Sequence, residues 1–151
     1  MKTEHFMAER YLRSIRLLAK CYQAFEHMAG TKSRSVGLTP SQFDIIATLG
    51  NTPGMTFKEL GEKTLITKGT LTGVVDRLEA KGFVTRNTQL EDRRSTIVRL
   101  TALGESEFTR VFAPHIEFCK RPFIEYGDDD FAALEKELAK LHAHLSKCRE
   151  A

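Results

Sequence analysis

The chain has 151 residues, 41% of them hydrophobic and 28% charged, with a formal net charge of +3. That length is one domain's worth, able to bury roughly 70% of its unfolded surface without staples. No apolar run approaches the ~20 residues that span a bilayer, and the charged opening MKTEHFMAERYLRSIR lacks a secretion signal's apolar stretch, so a cytoplasmic protein without membrane contact is expected. Three scattered cysteines, Cys21, Cys119 and Cys148, form no disulfide framework. Residues 55–101 hold 9 basic against 6 acidic side chains, whereas residues 102–151 hold 7 against 10. A polyanion therefore suits the middle of the chain better than its end.

In chain order, Leu12, Ile15, Ala19, Tyr22, Phe25 and Ala29 recur at three- and four-residue steps. They predict an amphipathic helix from Ala8 that ends near Gly30, followed by a polar connection from Thr31 to Gly37. Thr39-Pro40-Ser41-Gln42 is a helix start with a capping box, and the helix runs through Phe43, Ile46 and Leu49 to Gly50. A second capping box, Thr56 to Glu59, opens a short helix. Thr67 caps a third, with Leu71, Val74, Val75 and Leu78 on its apolar face and Gly82 as its stop. Phe83–Arg86 and Thr96–Leu100 then read as two strands joined by a nine-residue basic tip, Asn87 to Ser95. Thr101 caps a helix carrying Phe108, Val111 and Phe112, expected to bend at Pro114 or break near Pro122. Asp128–Asp130 start the last helix, where Phe131, Leu134, Leu138, Leu141, Leu145 and Cys148 form a 3-4 seam.

Two short capped helices, a longer third and a β-hairpin are the arrangement that sets one helix into a DNA major groove. Outside the third helix's apolar face lie Thr67, Lys68, Thr70, Gly73 and Arg77, whose hydroxyls and cations suit base edges and phosphates. The bland alternative is an ordinary solvated face. The hairpin tip, Glu91-Asp92-Arg93-Arg94-Ser95 between Arg86 and Arg99, gathers four arginines. An arginine on a hairpin can enter the narrow minor groove. The alternative there is a solvated turn with Asp92 paired to a neighbouring arginine.

Leu38-Thr39-Pro40-Ser41-Gln42-Phe43, Thr67-Lys68-Gly69-Thr70-Leu71-Thr72, Asp76-Arg77-Leu78-Glu79-Ala80-Lys81-Gly82, Asp92-Arg93-Arg94-Ser95 and Leu100-Thr101-Ala102-Leu103-Gly104 together resemble a MarR-family winged helix–turn–helix regulator, from about Leu12 to Leu145. The resemblance implies a mainly α, α+β fold: an N-terminal dimerisation helix (1–37), a DNA-binding winged helix (38–101) and C-terminal dimerisation helices (102–151). It implies a homodimer on a palindromic operator, usually a repressor relieved by a small ligand or by oxidation. Carried over, Thr67, Lys68, Thr70 and Arg77, with Thr72, match recognition-helix contacts. Arg94 matches the wing-tip arginine, with Arg93 and Ser95 beside it, Asp92 the acid that orients the wing, and Arg86 a strand-end phosphate contact. The residues themselves agree on a dimer, since stripes at both termini need cover.

A small aromatic or phenolic effector is expected where the terminal helices meet the winged helix, lined by Tyr22, Phe25, Phe43, Ile46, Phe112 and His115. Plain core packing is the competing reading of those aromatics. The phosphate-loop, dinucleotide, zincin and hydrolase signatures are absent, so neither an enzyme nor a cofactor is expected. His115/Cys119 and His144/Cys148 are i,i+4 pairs, each half of a zinc site at most. With Cys148 in the apolar seam, a buried free thiol is the better reading and no metal is expected. Cys21 raises thiol sensing, since a peroxide-sensing branch of the family uses a first-helix cysteine. That branch places it where this chain has Ile15, and has tyrosine where this chain has Pro40, so packing is favoured for Cys21. A ligand- or protein-binding module without DNA binding is the remaining alternative, against which the wing arginines argue.

Overall fold

A computed structural model describes residues 8–89 and 92–149, without the side chains of residue 89 and residues 92–94. The order is α1 (Arg10–Ser35), α2 (Pro40–Leu49), β1 (Met55–Thr56), α3 (Phe57–Thr64), α4 (Lys68–Ala80), β2 (Val84–Gln89), β3 (Asp92–Leu100), α5 (Ala102–Cys119), a 3-10 turn (Arg121–Phe123) and α6 (Asp128–Arg149). The chain forms two compact units, Met1–Cys119 and Lys120–Ala151. This is the mainly helical winged helix–turn–helix expected, with a three-stranded antiparallel sheet ordered β1-β3-β2.

In the first unit one core gathers the apolar faces the sequence marks. Ile45, Ile46 and Leu49 of α2, Leu60 of α3, Leu71, Val74, Val75 and Leu78 of α4, Val84 of β2 and Val98 of β3 are buried together, with Phe108 and Val111 of α5 closing one side. Both capping boxes form: Thr39 Oγ1 accepts from the Gln42 amide and Gln42 Oε1 from the Thr39 amide, and Thr56 and Glu59 do the same. Each satisfies two helix-end donors that burial would otherwise leave unpaired. Thr101 Oγ1 accepts from the Gly104 amide and caps α5 as expected. A Cβ on Gly104 would lie 2.0 Å from the Phe83 carbonyl oxygen, so only glycine lets α5 pass this close to the hairpin's start.

Several expectations need correction. Helix α1 does not end near Gly30 but continues to Ser35. The Thr31 and Ser33 hydroxyls donate to the His27 and Ala29 carbonyls one turn back, which satisfies them inside the helix. Gly30 is small enough to pass Pro40, and the stop is Gly37 at φ +85°. The nine-residue hairpin tip is mostly strand: β2 and β3 pair from Val84↔Leu100 to Gln89↔Asp92, with an irregularity after Thr88. The sequence hides this because the hairpin's outer half is polar on both faces, leaving no apolar alternation to read. Strand β1 was not anticipated. It pairs Met55 with Val98 and Thr56 with Ile97, too short a run to carry a period.

Pro114 lies inside α5, and the chain breaks at the Arg121–Phe123 turn. Leu65, between α3 and α4, takes a left-handed conformation at φ 60° and is 83% exposed. Cys21 and Cys148 are both exposed, against the packing expected of them, and Cys119 is the buried cysteine. In the second unit α6 has no buried residue, so its Leu134–Leu138–Leu145 seam, and Cys148 with it, stands open.

Candidate nucleic-acid interface

Helix α4 turns its Leu71, Val74, Val75 and Leu78 inward, and that fixes which residues face outward. Thr67, Lys68, Thr70, Thr72 and Arg77 are all exposed on it. The cap expected from Thr67 does not form: its hydroxyl accepts from no amide of the first turn and donates to Thr70 Oγ1 at 3.1 Å. The first turn of α4 therefore has no side-chain acceptor on its amides, and its positive dipole end is open. Gly73, half-buried on the same helix, has nothing of this chain within 4 Å of where a Cβ would be.

Arg86 does not stand free. From β2 its guanidinium donates to Asp76 Oδ1 at 2.5 Å and to Glu79 Oε2 at 3.2 Å, clamping the hairpin onto α4. Both carboxylates raise its already high pKa. The chain-distant partners give no sequence signal except that Asp76 and Glu79 are three apart on one helix. At the other end of α4, Lys81 Nζ donates to Gln42 Oε1 at 3.3 Å, the same oxygen that closes the α2 capping box. Helix α4 is thus tied to the strand behind it and to the helix before it. Ser95 is half-buried on β3 and Arg99 exposed. The side chains of Asp92, Arg93 and Arg94 lie outside the described residues.

A second feature lies where α1, α2 and α5 meet: a cleft of about 490 Å³ lined by Tyr22, Phe25 and Glu26 of α1, Asp44 of α2 and His115 of α5, with Gly30 and Arg34 at one end. Of the six residues expected to line an effector site, Tyr22, Phe25 and His115 do so. Phe43 lies behind the wall, stacked on the His115 ring with centroids 3.8 Å apart, Ile46 is wholly buried, and Phe112 packs on Phe108. His115 Nε2 lies 3.3 Å from both Ser33 Oγ and the Ala29 carbonyl oxygen, and its Nδ1 lies 3.6 Å from Cys119 Sγ. Burial pushes the imidazole pKa down and the Cys119 thiol up, so both are neutral at pH 7. Among the described residues no group of three or more His, Cys, Asp or Glu could hold a metal, and no helix is long and apolar enough to cross a membrane.

Comparison with known proteins accords with this geometry. Residues 38–96 match the MarR family. The chain is 25% identical to the HTH-type transcriptional regulator YkoM of Bacillus subtilis, over 90% of this chain and 88% of that one. Its fold is similar to AbsC, a MarR family transcriptional regulator from Streptomyces coelicolor, with a TM-score of 0.80 and 24% identity over 90% of this chain and 94% of that one. It is also similar to NadR, solved in complex with 4-hydroxyphenylacetate, with a TM-score of 0.68 and 26% identity over 82% and 88% of the two chains. Residues 38–96 thus form a MarR-family domain, carried on a chain with the fold of the family's DNA-binding transcriptional regulators.

Proposed function

We propose that the protein is a sequence-specific repressor that binds a palindromic operator as a homodimer and is released by a small aromatic ligand. The observation that carries the DNA reading is the open face of α4, where hydroxyls and cations stand beside an uncapped helix start and a hairpin held in place by Arg86. An uncapped N-terminus favours a backbone phosphate. From there Lys68, Thr70 and Thr72 reach base edges, Arg77 takes a phosphate, and the wing's Arg93, Arg94 and Ser95, oriented by Asp92, follow the adjacent minor groove. Arg86 acts by holding the wing rather than by touching DNA. Residues 1–37 and 102–151 supply the dimerisation helices, whose uncovered apolar stripes a second copy covers. The two α4 helices then meet half-sites about 34 Å apart. The cleft of Tyr22, Phe25 and His115 is the effector site, supported by the aromatic ligand in NadR.

Selection from random-sequence duplex DNA tests this. The parent should enrich an inverted repeat, and Lys68→Ala and Thr70→Val should shift preferred bases within each half-site by about 1–3 kcal/mol of discrimination. Arg94→Ala should weaken binding across all selected sites and reduce the salt slope by about one. Enrichment of no motif, or an unchanged motif in both α4 variants, overturns the reading.

A further inference from the structure

The cleft's charges do not suit an acid. From α1 it receives Glu26, His27 and Arg34, from α2 Asp44, and from α5 the neutral His115, near which Lys32 also lies. Tyr22, Phe25, Glu26 and Ala29 are three and four apart on α1 and so share a face. Tyr22 donates its phenol proton to Glu26 Oε1 at 2.8 Å, which fixes that carboxylate beside an aromatic ring. Among the described residues neither Glu26 nor Asp44 has an ion-pair partner. Asp44 is exposed on α2, yet the walls of the cleft remove part of its carboxyl from water, and this, followed by the charge of Glu26, pushes it up to about 6. The Arg34 guanidinium folds back to Gly30, beside Pro40, and forms no ion pair with Glu26 or Asp44, and the charge that acts on Asp44 is that of Glu26. One end of the cleft is therefore a pair of carboxylates with no ion-paired cation, walled by aromatic rings.

We propose that this cleft takes an aromatic cation, a protonated arylalkylamine with its ammonium at Glu26 and Asp44 and its ring against Tyr22 and Phe25. The proposal rests on the effector reading above and gives that small aromatic ligand a positive charge. The ammonium supplies the charge the two carboxylates lack and gains cation–π attraction from the rings. A carboxylate ligand oriented the same way would add a third negative charge. Because Asp44 must be ionised to pair with the ligand, a proton leaves wherever Asp44 was protonated. Amine affinity should therefore rise with pH through about 6 and level off above it.

The test is calorimetry on the full chain with phenethylammonium, 3-phenylpropionate and neutral 2-phenylethanol, at pH 7.5 and pH 5.0, alongside operator binding. The expected result is that the amine binds about tenfold or more tightly than the acid at pH 7.5. Its advantage should shrink at pH 5.0 and largely vanish in Asp44→Asn, and it should lower operator affinity. Glu26→Gln, at an exposed helix position, serves as the second variant if Asp44→Asn does not fold. The acid binding as tightly as the amine, or an amine affinity indifferent to pH and to both variants, overturns the proposal. If the acid is preferred and Tyr22→Ala abolishes its binding, the effector site stands and only the cation assignment falls. If nothing binds, or Tyr22→Ala changes nothing, both fall.

Discussion

Helices α4 and α1 both turn a broad face to water, and the two faces have opposite chemistry. On α4 the open side carries Thr67, Lys68, Thr70, Thr72 and Arg77, groups that water solvates well and that a polyanion can take over from it. On α1, ahead of the Tyr22–Phe25 cleft wall, it carries Tyr11, Leu12, Ile15 and Leu18, each between 38% and 63% exposed. Fully burying one such side chain is worth about 1.5–3 kcal/mol, so a face this large left to water is a standing cost that the proposed second copy would remove. The first face fits DNA and the second fits protein, although both belong to amphipathic helices of similar pattern. The same three- and four-residue period marks a face that this chain buries on α4 and one that it leaves open on α1, Leu12 and Ile15 among its residues.

The comparison breaks most easily at α1. Leu12→Arg with Ile15→Arg puts two charges into the apolar face without touching the buried core. Sedimentation should show monomer, with helix content kept, and operator affinity should fall about a hundredfold or more, because half-sites are then bound one at a time. A dimer that persists means the α1 face is not the interface.

Two glycines sharpen the distinction between fold and function. Gly104→Ala drives a methyl into the Phe83 carbonyl and should cost about 3 kcal/mol of folding stability, read as a lower denaturation midpoint. Gly73→Ala, with open space around it, should instead stabilise the free protein by about 0.5–1 kcal/mol, since glycine is a poor helix interior residue. Its methyl faces the groove, so operator affinity should drop nonetheless. Stabilisation with unchanged affinity would remove Gly73 from the interface.

The smallest expected effect is at the clamp. Arg86 pairs with Asp76 and Glu79 at a part-exposed site, so Arg86→Ala should cost below about 1 kcal/mol of stability. Operator affinity should fall with the salt slope unchanged, because positioning releases no counterions. Asp76→Asn with Glu79→Gln should weaken binding in the same way. Tighter binding by that double variant would mark Arg86 as a phosphate contact set free.

The sequence by itself determined the helix starts, the buried faces and the order of the winged helix. Caps are local chemistry: Thr39 with Gln42 and Thr56 with Glu59 close their boxes wherever the rest of the chain goes. The apolar positions of α2 and α4 likewise had one inward direction once their period was read. The tertiary structure alone decided what depends on neighbours distant in sequence. Helix α1 outruns Gly30 with Thr31 and Ser33 bonded back to its own carbonyls while Gly30 packs on Pro40 of α2, and β1 exists only because β3 offers it two residues to pair with. Arg86 becomes a clamp because β2 passes α4 at Asp76 and Glu79, ten and seven residues back in the chain. The cleft between α1, α2 and α5 acquires its acidic end because α2 brings Asp44 to the Tyr22–Glu26 turn of α1. Periodicity reports which face of an element is apolar, but whether this chain covers that face, as on α4, or leaves it open, as on α1 and α6, is set by packing across the whole chain.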